Sequence, residues 1–275
     1  MSKMFVINPA RCNGCRNCQI ACKDEHCDND WSPITLPQPD TGHFWIGIDE
    51  KVRGSVPKVK VSYVAKMCQH CQNAACMEAA PDAVYRRDDG LVIIDPEKAK
   101  GNRALVEACP YGAIYYNEEL DVPQKCTGCA HLLDDGWTVP RCVDACPHDA
   151  LRFGDEEDFA EELAAAEYII PERAETDKPR VVYLNLPKRF VAGVVVDLEA
   201  EEIVEGATVT LENAETGDFV TTETDDFGDF WFNQVEPAAY NVYVEAEGYM
   251  TRVVAADATD RDVNVGPVDV FAAEE

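Results

Sequence analysis

Cys12-Asn13-Gly14-Cys15-Arg16-Asn17-Cys18-Gln19-Ile20-Ala21-Cys22 sets four cysteines in eleven residues at the spacing C-x-x-C-x-x-C-x-x-x-C. Three thiolates this close hold three corners of one [4Fe–4S] cubane, and the fourth reaches the neighbouring cluster of a pair. A second run has the same logic with a longer interval: Cys126-x-x-Cys129, then Cys142-x-x-x-Cys146-Pro147. Exchange of the fourth cysteine gives one set of Cys12, Cys15, Cys18 and Cys146, and a second of Cys22, Cys126, Cys129 and Cys142.

The middle of the chain carries Cys68-x-x-Cys71-x-x-x-x-Cys76, followed by Ala80-Pro81 where a cysteine and proline would stand. Further on, Ala99, Asn102 and Leu105 occupy the frame of a C-x-x-C-x-x-C run of which Cys109-Pro110 survives. Under the exchange rule Ala80, Ala99, Asn102 and Leu105 belong to a single site, so one cluster has been erased whole. Cys68, Cys71, Cys76 and Cys109 remain as a complete third set. The erased pocket is expected to be filled by side chains, with Ala99 and Leu105 supplying apolar volume. The recurrent proline stops a short helix and turns the residue before it to extended backbone, aiming each preceding cysteine back at what its helix packs against.

All thirteen cysteines lie between Cys12 and Cys146, and the 129 residues that follow contain none. We divide the chain into a ferredoxin-type region over 1–153, two pseudo-repeated modules with an insertion at 23–67, a connector over 154–189 and a β-domain over 190–275. The insertion contains Trp31, Phe44 and Trp45 and is long for a plain loop, which suggests a partner surface. Within the connector, FAEELAAAEYII reads as an amphipathic helix ending before Pro171. From Phe190 on, seven short β-rich stretches separated by Gly, Asp, Asn and Pro predict a sandwich. The fold class is α+β with an all-β C-terminal domain.

The formal charge is −28, and residues 187–275 alone hold 21 acids and 4 bases, a net −17. Such a field repels nucleic acid and anionic membrane surfaces, so neither is expected as a partner. Met1–Arg11 lacks the apolar run of a secretory signal, and no stretch is long and apolar enough to insert in a membrane. The expected compartment is the cytoplasm, where C-x-x-C pairs serve metals rather than disulfides.

Residues 1 to about 190 resemble the four-cluster iron–sulfur subunits of the molybdopterin oxidoreductase family, to which dimethyl sulfoxide reductase belongs. Besides the cysteine runs, Asp89-Gly90-Leu91-Val92-Ile93-Ile94-Asp95-Pro96-Glu97-Lys98 and Lys178-Pro179-Arg180-Val181-Val182-Tyr183-Leu184 carry the likeness. The chain departs from it at Ala80, Ala99, Asn102 and Leu105 and in its fused β-domain, and the two departures together resemble one cytoplasmic member of that family. The resemblance implies electron transfer through three [4Fe–4S] clusters to or from a large catalytic subunit. That partner would carry molybdenum on bis(molybdopterin guanine dinucleotide). The β-domain resembles a carboxypeptidase-regulatory-like or immunoglobulin-like sandwich through Gly193-Val194-Val195-Val196-Asp197, Gly206-Ala207-Thr208-Val209 and Asp225-Asp226-Phe227-Gly228-Asp229-Phe230.

Zinc is the inorganic rival for paired cysteines, but four cysteines in eleven residues without a local partner pair suit a cubane better. Cys27 falls outside the three sets and reads as a free thiol. His70, His131 and His148 neighbour ligands in sequence and read as packing around sites already complete in cysteine. No nucleophile with a base and no phosphate-binding glycine loop stands out, so catalysis is assigned to the partner. The alternative function is an interaction subunit whose clusters are structural and whose sandwich recruits another protein.

Overall fold

A computed structural model describes residues 2–273. It divides into two compact units, 1–50 with 63–186 and 51–62 with 187–275.

In the first unit, Lys3–Ile7 forms the middle strand of a three-stranded sheet. Leu151–Asp155 runs antiparallel on one side and Val181–Tyr183 parallel on the other. Phe5, Ile7, Leu151 and Phe153 bury one face of this sheet among cysteines, together with Trp45, Ile46 and Leu91. Met4, Val6 and Val182 bury the opposite face against Phe159. This alternation is what a strand buried on both faces requires. Around the sheet lie short helices that each end near a cysteine: Asn17–His26, Ala75–Ala79, Ala104–Ala108 and Arg141–Asp144. Two small antiparallel pairs, Val84–Arg86 with Val92–Ile94 and Tyr115–Asn117 with Val122–Gln124, complete the middle of the chain.

Two readings of the sequence need correction. FAEELAAAEYII is not one helix: a 3-10 turn at Glu156–Phe159 leads into a helix that stops at Ala164. Glu167 then exchanges both backbone hydrogen bonds with Tyr183, at 2.8 and 2.9 Å, so edge pairing claims residues that periodicity assigned to the helix. The insertion at 23–67 is also not simply surface. Its Trp45 is 2% exposed, and the rest is largely a hairpin of Ile46–Ser55 and Lys58–Met67 whose tip belongs to the second unit.

The second unit packs two sheets face to face. One joins Arg189–Asp197 to Glu202–Ile203, Asp229–Val235 and Val263–Asp269, and the other orders Phe219–Glu223, Thr208–Asn213, Ala239–Glu245 and Arg252–Asp257. Val209 and Leu211 alternate inward from one sheet to meet Val191, Val195, Phe230 and Phe232 of the other, the pattern of a sandwich core. The hairpin tip adds to this unit, with Lys58 paired to Asp229 and Arg53 bonded to Asp262 at 3.1 Å. Among the described residues no helix is long and apolar enough to cross a membrane.

Candidate cluster sites

The structure brings the cysteines together in three groups of four. Cys12, Cys15, Cys18 and Cys146 ring a hollow walled by Ile7, Ile48 and Leu151. Cys18 rides the first turn of Asn17–His26, while Cys146 follows Arg141–Asp144 directly before Pro147. Cross-links hold these distant segments together: Asn13 Nδ2 lies 2.7 Å from His148 Nε2, and Arg11 reaches Asp149 at 3.2 Å.

Cys22, Cys126, Cys129 and Cys142 form the second group, all four buried. Cys68, Cys71, Cys76 and Cys109 ring a second hollow. The second group adjoins both of the others. The thiol of Cys142 is perturbed by Cys129, Cys126 and Cys22 of its own group and then by Cys18 of the first, and Cys126 is perturbed by Cys68 of the third.

Burial, then mutual repulsion, pushes the thiols up: Cys18, Cys126 and Cys129 to about 12, and Cys76 to about 11. Clustered thiols this reluctant to ionise become thiolates when a positive metal core takes the place of their protons. A single zinc ion would need sulfurs about 2.3 Å from the metal and so about 3.8 Å from one another. Among the described residues no three Cys, His, Asp or Glu side chains converge closely enough to hold one ion. Four thiols around an apolar hollow suit a cubane instead.

The C-x-x-C loops that open at Cys12, Cys68 and Cys126 share a backbone device that the spacing alone does not reveal. The third residue of each has positive φ: Gly14 at 74°, His70 at 45° and Gly128 at 65°. This turn aims that residue's N–H at the first sulfur of its loop, with Gly128 N to Cys126 Sγ at 3.3 Å and His70 N to Cys68 Sγ at 3.5 Å. The glycines of Cys-Asn-Gly-Cys and Cys-Thr-Gly-Cys signal it, whereas His70 does so only in three dimensions. The His70 ring is held inside by accepting the Val92 N–H on Nδ1 at 3.1 Å. A side chain at Gly128 has no such room, since a Cβ there would lie 2.8 Å from Leu91 Cδ1. Gly128→Ala is therefore expected to cost about 1–2 kcal/mol in backbone strain and about 1–3 kcal/mol in overpacking. The cluster of Cys22, Cys126, Cys129 and Cys142 should be lost first, read as selective bleaching of one cluster signal while the others persist.

The positions read in the sequence as an erased fourth site are packed. Ala80, Ala99 and Leu105 join Val84, Val92, Ile94 and Ile114 in a separate apolar core, and Asn102 stays half-buried at its rim. Cys27 lies outside the three groups, its Sγ 3.5 Å from the Pro39 carbonyl oxygen. His131 stacks on Trp31 at 4.2 Å and meets Glu25 at 3.1 Å. Gln38, which the sequence did not single out, points its Nε2 at Cys22 Sγ from 3.9 Å.

Residues 59–156 match the family model of a 4Fe-4S dicluster domain, and 191–269 that of a carboxypeptidase regulatory-like domain. The small subunit of pyrogallol hydroxytransferase from Pelobacter acidigallici is 40% identical over 95% of this chain and 97% of its own length. One polypeptide of the anaerobic dimethyl sulfoxide reductase of Escherichia coli is 33% identical over 50% of this chain and 66% of its own. A putative iron-sulfur subunit of dimethyl sulfoxide reductase from Halobacterium salinarum is 34% identical over 50% and 60%. The chain belongs to the family of iron–sulfur subunits that includes the small subunit of pyrogallol hydroxytransferase.

Proposed function

We propose that this chain is the electron-transfer subunit of a cytoplasmic pyrogallol hydroxytransferase, a transhydroxylase, docking on a large subunit that carries the molybdopterin-bound molybdenum and the catalytic site. It holds three [4Fe–4S] clusters: one on Cys12, Cys15, Cys18 and Cys146, one on Cys22, Cys126, Cys129 and Cys142, and one on Cys68, Cys71, Cys76 and Cys109. The observation that carries the count is the apolar core at Ala80, Ala99 and Leu105. A site emptied at every position, beside three that each keep four thiols, is the mark of selective loss.

When bound, such clusters supply one-electron carriers. The chain's own part is to exclude water with walls such as Ile7, Leu151 and Phe153. It also offers backbone N–H groups to the sulfurs, which stabilises added negative charge and so raises reduction potentials. Because the second site adjoins both others, an electron can pass from the first site through the second to the third.

The complex purified under anoxic conditions should contain a molybdenum-bearing large subunit and, on this chain, about twelve iron and about twelve acid-labile sulfide, the content of three cubanes. A value near sixteen would defeat the reading through an unrecognised ligand set, and a value near eight would remove one of the three sites. Redox titration during activation and turnover separates this function from the structural alternative: clusters that never change oxidation state would leave only the latter.

A further inference from the structure

Lys125 is a buried lysine, 3% exposed, immediately before Cys126. Its Nζ donates to the Val92 carbonyl and, at 3.0 Å, to that of Cys126. Among the described residues it has no carboxylate partner, and it lines the hollow ringed by Cys68, Cys71, Cys76 and Cys109. The other buried charge of this unit, Asp177, lines the same hollow but is gripped by Arg173 through two bonds of 2.6 and 2.9 Å. Arg86 completes the charged surroundings, its guanidinium committed to the Cys71 and Gln72 carbonyls at 2.8 and 2.6 Å. On the side of the second group, Glu25 is matched by Arg141 and His131 at 3.4 and 3.1 Å.

An ammonium withdrawn from water without a counter-charge is costly unless negative charge is placed beside it. A cubane on four thiolates is a dianion when oxidised and a trianion when reduced, so a fixed cation beside it favours the reduced form. We propose that Lys125 is a potential-setting residue, a built-in cation that raises the reduction potential of the cluster on Cys68, Cys71, Cys76 and Cys109 and, less strongly, that of its neighbour through Cys126. Lys125 thereby biases an electron toward the third site, away from the cluster on Cys12, Cys15, Cys18 and Cys146. The inference rests on the ligand sets proposed above. Absence of the third cluster from the unmodified protein would refute those sets and not the role of the charge.

The test is a redox titration of the intact complex by electron paramagnetic resonance, with the third cluster identified as the signal missing from a Cys109→Ala variant. Lys125→Met removes the charge, Lys125→Gln removes it but keeps donors for the two carbonyls, and Lys125→Arg keeps it. Both neutral variants are expected to shift the one-electron equilibrium of the third cluster at least tenfold toward oxidation, about 59 mV for a one-electron couple. The cluster on Cys12, Cys15, Cys18 and Cys146 should move less than twofold, and Lys125→Arg should restore the third. A shift below twofold in both neutral variants overturns the proposal. Should the neutral variants fail to retain the third cluster, retention in Lys125→Arg supports the charge, whereas equal loss in all three overturns it in favour of a packing role.

Discussion

Cys146→Ala is expected to abolish the cubane held with Cys12, Cys15 and Cys18, although those ligands lie more than a hundred residues away in sequence. The helix Arg141–Asp144 and the turn that follows it divide two cysteines between sites. Cys142 is buried in the second group, and Cys146, four residues on and followed by Pro147, faces the first hollow. Proline cannot continue the helix and holds the preceding residue extended, so Cys146 swings away from its own C-x-x-C partners. Iron should fall from about twelve per chain to about eight, or to about eleven if a three-iron remnant persists on the remaining thiolates. The signals of the other two clusters should stay, and Cys27→Ala, whose sulfur lies outside all three groups, should leave the iron content unchanged. Loss of the cluster on Cys68, Cys71, Cys76 and Cys109 in Cys146→Ala would mean that the exchange of fourth ligands is wrongly drawn.

Cysteine spacing is informative in a sequence because ligand spacing is a short-range constraint. A C-x-x-C loop can present its sulfurs to one cubane only in certain turns, and a following proline dictates where the last sulfur points. The sandwich was legible for a related reason: Val209 and Leu211 inward, with Thr208 and Thr210 alternating outward, repeat with the period of a strand. The two-residue strand Glu202–Ile203 is too short to carry a period and was passed over. The helix ending at Ala164 was overdrawn because Phe159, Leu163, Ala166 and Tyr168 are indeed apolar and packed together, but the later pair is placed by the sheet edge near Tyr183. Gln38 and Lys125 were illegible. Their positions relative to sulfur depend on contacts such as that of Lys125 with Val92, 33 residues distant in sequence, which no local pattern encodes.

Leu105→Ala is expected to destabilise the first unit by about 2–5 kcal/mol, the range for emptying a well-packed leucine site. Leu105 and Ala99 are both fully buried, and the residues around them, Ala74, Ala80, Ala83 and Ile114 among others, are small or branched side chains that cannot swing in to close a gap. The cost should reach a cluster as well. Leu105 sits in the helix Ala104–Ala108, whose end is capped by Cys109 with φ −87° and ψ 110°, so loosening the helix displaces a ligand of the third site. In urea titrations of the cluster-loaded complex, the Leu105→Ala variant should unfold at lower denaturant and release the Cys68, Cys71, Cys76 and Cys109 cluster before the other two. Asn102→Ala, at the half-exposed rim, should change stability by no more than about 0.5 kcal/mol. If Leu105→Ala were equally mild, the erased site would be a vacancy rather than a repacked core. A count of three clusters, with the fourth replaced by apolar packing, would then lose its structural support.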